Sequence, residues 1–139
     1  MAVTALYLAD KSALARQPHH QVAERLLPRI SLGLVATCAV IDLEVLYSAR
    51  NATEYARTAT ERSYLPQATI DREVTDRSLE VQSLLAQRGQ HRLPIPNLLI
   101  AAAAEVNDLV VLHYDTDFDR IADVTGQQTE WVVPKGSIT

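Results

Sequence analysis

At 139 residues the chain is long enough for one domain with a real core and too short for two ordinary ones. With 47% hydrophobic and 22% charged residues it has the composition of a folded globular protein, and its apolar runs at 98–104 and 109–112 fall far short of the ~20 residues that cross a bilayer. Thirteen basic against seventeen acidic side chains leave a net charge of -4, so bulk charge alone cannot grip nucleic acid.

The short apolar segment 4–9 reads as a buried strand that ends on a carboxylate, Asp10-Lys11-Ser12, with a helix to follow. From Pro18 to Ile30, Val22, Leu26, Leu27 and Ile30 recur at helical spacing, with Pro28 straining the later half and Gly33 closing the element. A second strand at 34–37 precedes a helical pattern from Val40 to Arg50, on which Glu44 and Ser48 sit one turn apart. The segment 51–64 is helix-competent, and its Asn51-Ala52-Thr53 sequon is set aside because nothing points to secretion. Leu65-Pro66 breaks the chain. Asp71 to Arg88 predicts a long amphipathic helix with Val74, Leu79, Val81, Leu84 and Leu85 inward, ended by Gly89, and 87–93 is a polar loop. Pro94-Ile95-Pro96-Asn97 opens an alanine-rich helix to Val106. A strand at 109–112 runs into His113-Tyr114-Asp115-Thr116-Asp117-Phe118-Asp119, then a short helix to Val124 and a last strand near Trp131–Val133.

One cysteine, Cys38, permits no internal disulfide, and no Cys/His cluster suits structural zinc. A reducing cytoplasm is the expected compartment, since no basic region precedes an apolar stretch at the start of the sequence. None of the four glycines is spaced for a phosphate-cradling loop, which excludes both the P-loop and the dinucleotide fingerprint.

Strands alternating with helices imply a mainly parallel sheet covered on both faces, with a site where the strands deliver their carboxyl ends. Asp10, Glu44, Asp115 and Asp117 fall at that edge, with Asn97 beside them. Singly, Asp10 and Asn97 could be helix caps, Glu44 a solvated helix position and the 115–119 run a surface turn. Jointly they form a cluster whose repulsion calls for a cation, and Mg²⁺, with its oxygen ligands, suits it. Of the eleven arginines, Arg16, Arg50 and Arg92 are the choices for a rim that meets phosphates. The histidines and Trp131 read as solvated or packed side chains.

The set Asp10-Lys11-Ser12, Ile41-Asp42-Leu43-Glu44, the 95–105 segment around Pro96-Asn97-Leu98 and the 113–122 segment around Asp115-Thr116-Asp117 resembles the PIN-domain ribonucleases. More closely, it resembles the VapC toxins of bacterial VapBC toxin–antitoxin pairs, over essentially the whole chain. The resemblance implies a single three-layer α/β/α domain spanning 1–139, with a mainly parallel five-stranded sheet of order 3-2-1-4-5, and usually a homodimer. It implies Mg²⁺- or Mn²⁺-dependent cleavage of RNA, often a tRNA or ribosomal RNA. A VapB-type antitoxin would block the site and tether the pair to operator DNA. Asp10, Glu44 and Asp115 would bind metal, Asp117 would stand close behind, and Ser12 would hydrogen-bond within the site.

Position 97 departs from that pattern, because the family carries aspartate where this chain has Asn97. The amide keeps the shape and one oxygen but loses the charge. At ~4 Å and an effective dielectric near 20 that charge is a gross ~4 kcal/mol against a unit cation, roughly doubled for a divalent ion before desolvation. Asn97 is read first as a replacement that disarms a toxic nuclease. The alternative is a native residue in a non-catalytic PIN-like module that binds RNA or antitoxin.

Overall fold

A computed structural model describes residues 4–138. Its elements in chain order are β1 (Tyr7–Ala9), α1 (Lys11–Leu14), α2 (His20–Ser31), β2 (Val35–Ala36), α3 (Ala39–Tyr47), α4 (Ala52–Ser63), α5 (Arg72–Ala86), α6 (Ile95–Val106), β3 (Val110–His113), α7 (Asp117–Thr125) and β4 (Thr129–Trp131). The strands form one parallel sheet in the order β2-β1-β3-β4, with Leu8 opposite both Ala36 and Val111 and His113 opposite Trp131.

The expected fifth strand is reduced to a single parallel bridge, Thr37 to Gln67, on the outer side of β2. Two backbone bonds hold it, from Thr37 N to the Pro66 carbonyl at 2.8 Å and from Ala68 N to the Thr37 carbonyl at 2.7 Å. Pro66 lacks the N–H that a longer ladder would use. The rest of the expected order survives, since 2-1-4-5 of that scheme is the order seen.

β1, β2 and β3 are largely apolar without alternation because both faces are covered, whereas β4 at the sheet edge carries Thr129 and Glu130. Successive side chains point to opposite faces, so Leu8 and Val111 join a core with Ile41, Val74, Ile100 and Phe118, while Ala9 and Leu112 join another with Val22, Leu26 and Val132. On the first face, Ala101 to Ala104 of α6 are all buried, and their small side chains let the helix axis lie close to the sheet.

Two helices and the last strand differ from expectation in detail. Pro28 does not split α2, which runs through it to Ser31. In α5 the inward positions are Val74, Ser78, Val81 and Leu85, so Leu79 is 66% exposed and Ser78 takes the buried place, its hydroxyl donating to the Val74 carbonyl at 2.9 Å. The last strand pairs two residues earlier than expected, leaving Val132 and Val133 buried past its end. Asn51 caps α4 by accepting from Glu54 N at 2.8 Å, which gives the sequon asparagine a local structural role.

Gly33 ends α2 with φ 74°, and bonds from Gly33 N to the Ile30 carbonyl and from Leu34 N to the Arg29 carbonyl, both 3.0 Å, close the motif that turns the chain into β2. Gly33→Ala is expected to cost about 1–2 kcal/mol, the penalty of a Cβ in the left-handed region, read as a lower urea midpoint at unchanged slope.

Candidate active site

In the strand order β2-β1-β3-β4 the chain leaves β1 toward one side and β3 toward the other, so a crevice opens at the carboxyl ends of these two neighbours. Asp10 follows β1 directly and is 4% exposed. Its backbone N–H donates to the Leu112 carbonyl at 2.9 Å, and its Oδ2 accepts from Ser12 N at 3.0 Å, so the carboxylate caps α1 while facing the crevice. Ser12 joins the two strand ends, its hydroxyl accepting from Tyr114 N at 2.9 Å.

Asp115 lies in the turn between β3 and α7, and Asp117 opens α7. Asp115 Oδ1 accepts from Asp117 N at 2.9 Å, and Arg120 Nη1 donates to Asp117 Oδ1 at 2.9 Å. Asn97, 6% exposed in the first turn of α6, aims its amide nitrogen at Asp115 Oδ2, 3.3 Å, and Asp117 Oδ2, 3.4 Å. It therefore acts here as a donor between two carboxylates, where a third carboxylate would repel both.

Glu44 reaches the same crevice from α3. Burial pushes its carboxyl above the usual range, the Asp10 charge adds to this, and Lys11 opposes it. Its Oε1 is buried with no hydrogen-bond partner. Asp10 is likewise raised, first by burial and then by the Asp115 charge, against the lowering hydrogen bonds from Ser12. Lys11 is held beside Glu44 by donating to Ser48 Oγ at 2.8 Å.

His113 lies beneath Asp115, fully buried and packed on Phe118 and Trp131 at ring distances of 5.0 and 4.9 Å. Burial lowers its pKa to about 4, and its Nδ1 accepts from Asp115 N at 3.1 Å, so the neutral ring carries its proton on Nε2.

The residues singled out from sequence thus gather in one crevice for Asp10, Ser12, Glu44, Asn97, Asp115 and Asp117. Arg16 borders it, bonded to the Ser12 carbonyl at 2.8 Å. Arg50 does not border it. It is 86% exposed and paired with Glu54 at 3.0 Å, and neither it nor Arg92 lines the clefts flanking the acids. Sequence reasoning missed Lys135, which lines the cleft beside Asp115 through a contact between distant parts of the chain.

Among the described residues no group of three acidic, histidine or cysteine side chains is placed to hold a metal ion together. The donors present still fit Mg²⁺ or Mn²⁺ in an open shell: they are hard oxygens, they repel one another, and one buried oxygen of Glu44 has no partner. Mg²⁺ needs only one or two carboxylates, with waters and substrate phosphate filling the octahedron.

The PIN domain family matches residues 7–124. The Mycobacterium tuberculosis protein named Ribonuclease VapC51 is 46% identical over 132 residues, covering 95% of this chain and 96% of its own length. Ribonuclease VapC2 of the same species is 48% identical over 127 residues, covering 89% and 90%. Among solved structures, the DNA-bound VapBC of Salmonella typhimurium superposes with a TM-score of 0.73 at 18% identity, over 93% of this chain and 99% of that one, a likeness of fold. With the acids at the crevice and relatives matched nearly end to end, the chain belongs to the PIN-domain family, in its VapC ribonuclease branch.

Proposed function

We propose that the protein is a divalent-metal-dependent endoribonuclease, the toxin of a toxin–antitoxin pair, and that Asn97 weakens its metal site. The observation that carries this reading is the raised proton affinity of Asp10, from its burial and the Asp115 charge, and of Glu44, from burial and the Asp10 charge, beside a buried Glu44 oxygen without a partner. Asp10, Glu44 and Asp115 would hold Mg²⁺ or Mn²⁺, position 97 would offer an oxygen, and Asp117 would support it from behind. Bound there, the ion supplies an activated water and charge stabilisation at the scissile phosphate. The chain's own part is placement: the α1 cap fixes Asp10, the Ser12–Tyr114 bond locks the two strand ends together, and Arg120 steadies Asp117. RNA of the tRNA or ribosomal class is the expected substrate.

A VapB-type antitoxin would cover the crevice from the α3 side, where Leu43 is 66% and Tyr47 89% exposed beside Glu44. Operator DNA would be reached only through that partner. A second copy of the chain would cover the apolar groove between α5 and α6, where Leu79 and Ile95 are exposed.

One observation favours a non-catalytic binding module instead: the Asn97 amide already donates to Asp115 and Asp117, which lessens their demand for a cation. RNA cleavage by the chain and by Asn97→Asp, each with Mg²⁺ or Mn²⁺ and again with EDTA, separates the two readings. The expected result is cleavage by the aspartate form alone, stopped by chelation, with at least ~10-fold tighter Mg²⁺ binding from the restored charge. Failure of a folded Asn97→Asp form to cut any RNA would leave the module reading standing.

A further inference from the structure

We propose that Arg16 and Lys135 form a phosphate subsite for an RNA strand in the cleft beside Asp115, engaging a backbone phosphate next to the one that faces the carboxylates. The proposal rests on RNA being the substrate class of the crevice, and it concerns cations that no ion pair in the described residues uses. Six of the eleven arginines, Arg29, Arg50, Arg62, Arg72, Arg77 and Arg120, are in ion pairs. Arg16 and Lys135 have no acidic partner among the described residues, although the chain carries more acids than bases.

Both are nevertheless held in place. The Arg16 guanidinium stacks 4.6 Å over the Tyr114 ring and gives Nη1 to the Ser12 carbonyl, while its Nε is buried with no acceptor. Lys135 Nζ stands 5.8 Å over the Trp131 ring, and that ring meets Tyr114 edge-on at 5.2 Å. The segment carrying Lys135 is tied down by the Tyr114 hydroxyl, which accepts from Gly136 N at 2.9 Å and donates to the Ile138 carbonyl at 2.9 Å. Two edge-to-face aromatics thus present two cations to a cleft lined also by Ser12, Asp115 and Thr116.

The arrangement solves an electrostatic difficulty. A cluster of carboxylates repels a polyanion, and a chain of net charge -4 has no general attraction to offset this. The only two lysines in the sequence flank the cluster, Lys11 beside Glu44 and Lys135 on the Asp115 side. A guanidinium donates charge-assisted hydrogen bonds to a phosphate, and a lysine adds a point charge.

The test is fluorescence anisotropy of a short labelled single-stranded oligoadenylate with the Asn97 chain, across a salt series, in EDTA and in Mg²⁺. Lys135→Ala is expected to weaken binding about 3–10-fold and to reduce the slope of log affinity on log salt by about 0.7, the loss of one phosphate contact on a single strand. Lys135 is exposed, so this variant keeps the fold. Lys135→Arg should retain affinity, Arg16→Ala should act like Lys135→Ala, and Arg72→Ala, removing a cation 90% exposed on α5, should leave both readouts unchanged. Parent-like affinity and slope in Lys135→Ala, an equal loss in Arg72→Ala, or no oligoadenylate binding by the parent chain would each overturn the subsite. Because binding is read without cleavage, an inactive Asn97→Asp form would defeat the nuclease reading and leave this result intact.

Discussion

Asp10→Asn, introduced into the Asn97→Asp form, is expected to lower RNA cleavage by ~10²–10³-fold, the scale of removing one preorganised electrostatic group, while raising the melting temperature at neutral pH. The two effects have one cause. Burial, and then the Asp115 charge, raise the Asp10 pKa above its ordinary 3.8, so the folded state holds that proton more tightly than the unfolded chain. The associated stability is fully present below 3.8 and is lost as pH rises through the folded value, so at neutral pH the ionised carboxylate works against the fold. Asparagine removes the charge and keeps the cap, since its side-chain oxygen can still accept from Ser12 N. The stability gain should therefore vanish below about pH 3.8, where aspartate is neutral as well. His113, buried neutral with a pKa of about 4, makes both forms lose stability as pH falls from 6.5, so the difference between melting curves is the quantity to read. Mg²⁺ should stabilise the Asp10 form more, by about 2.7 kcal/mol at a hundredfold excess over its Kd. A lower melting temperature for Asp10→Asn at neutral pH, or undiminished cleavage, would sink this account.

That trade of stability for reactivity is legible in the sequence because the carboxylates occupy positions defined by local pattern. Asp10 ends an apolar run and Asp115 follows another, so strand periodicity alone brings them to one sheet edge. Asn97 is placed by the Pro-Ile-Pro opening of α6, a local helix-start signal. What escaped local pattern was decided by distant contacts. Ser78 is buried where Leu79 was expected because α6 packs on that side of α5, and the serine hydroxyl can return its hydrogen bond to the helix. The fifth strand that the resemblance implied is reduced to one bridge, at Gln67, because Pro66 removes a ladder donor. Lys135 joins the crevice through the bond between the Tyr114 hydroxyl and Gly136 N, 22 residues apart in the chain, a pairing with no periodicity to announce it.

Phe118→Ala is expected to produce the largest single loss of stability, about 3–5 kcal/mol, and to loosen the active turn with it. Phe118 is the only phenylalanine, fully buried in the core on the α5 and α6 side of the sheet. It occupies the second position of α7, so the turn carrying the acids is anchored by this ring, and its backbone N–H donates to the Asp115 carbonyl at 3.2 Å. The ring also rests 5.0 Å from that of His113, whose Nδ1 receives the Asp115 N–H, so one cavity removes support from both sides of Asp115. Against a total of about 5–15 kcal/mol, the loss should lower the melting temperature by roughly 10–20 °C for a chain of this size. Phe118→Leu fills most of the space and should cost about half as much. In the Asn97→Asp background, both variants should need more Mg²⁺ for half-maximal cleavage, alanine more than leucine, because Asp115 must be re-ordered as the ion binds. An unchanged Mg²⁺ requirement in a destabilised Phe118→Ala form would show that the ring supports the core alone and that the turn is held by its own hydrogen bonds.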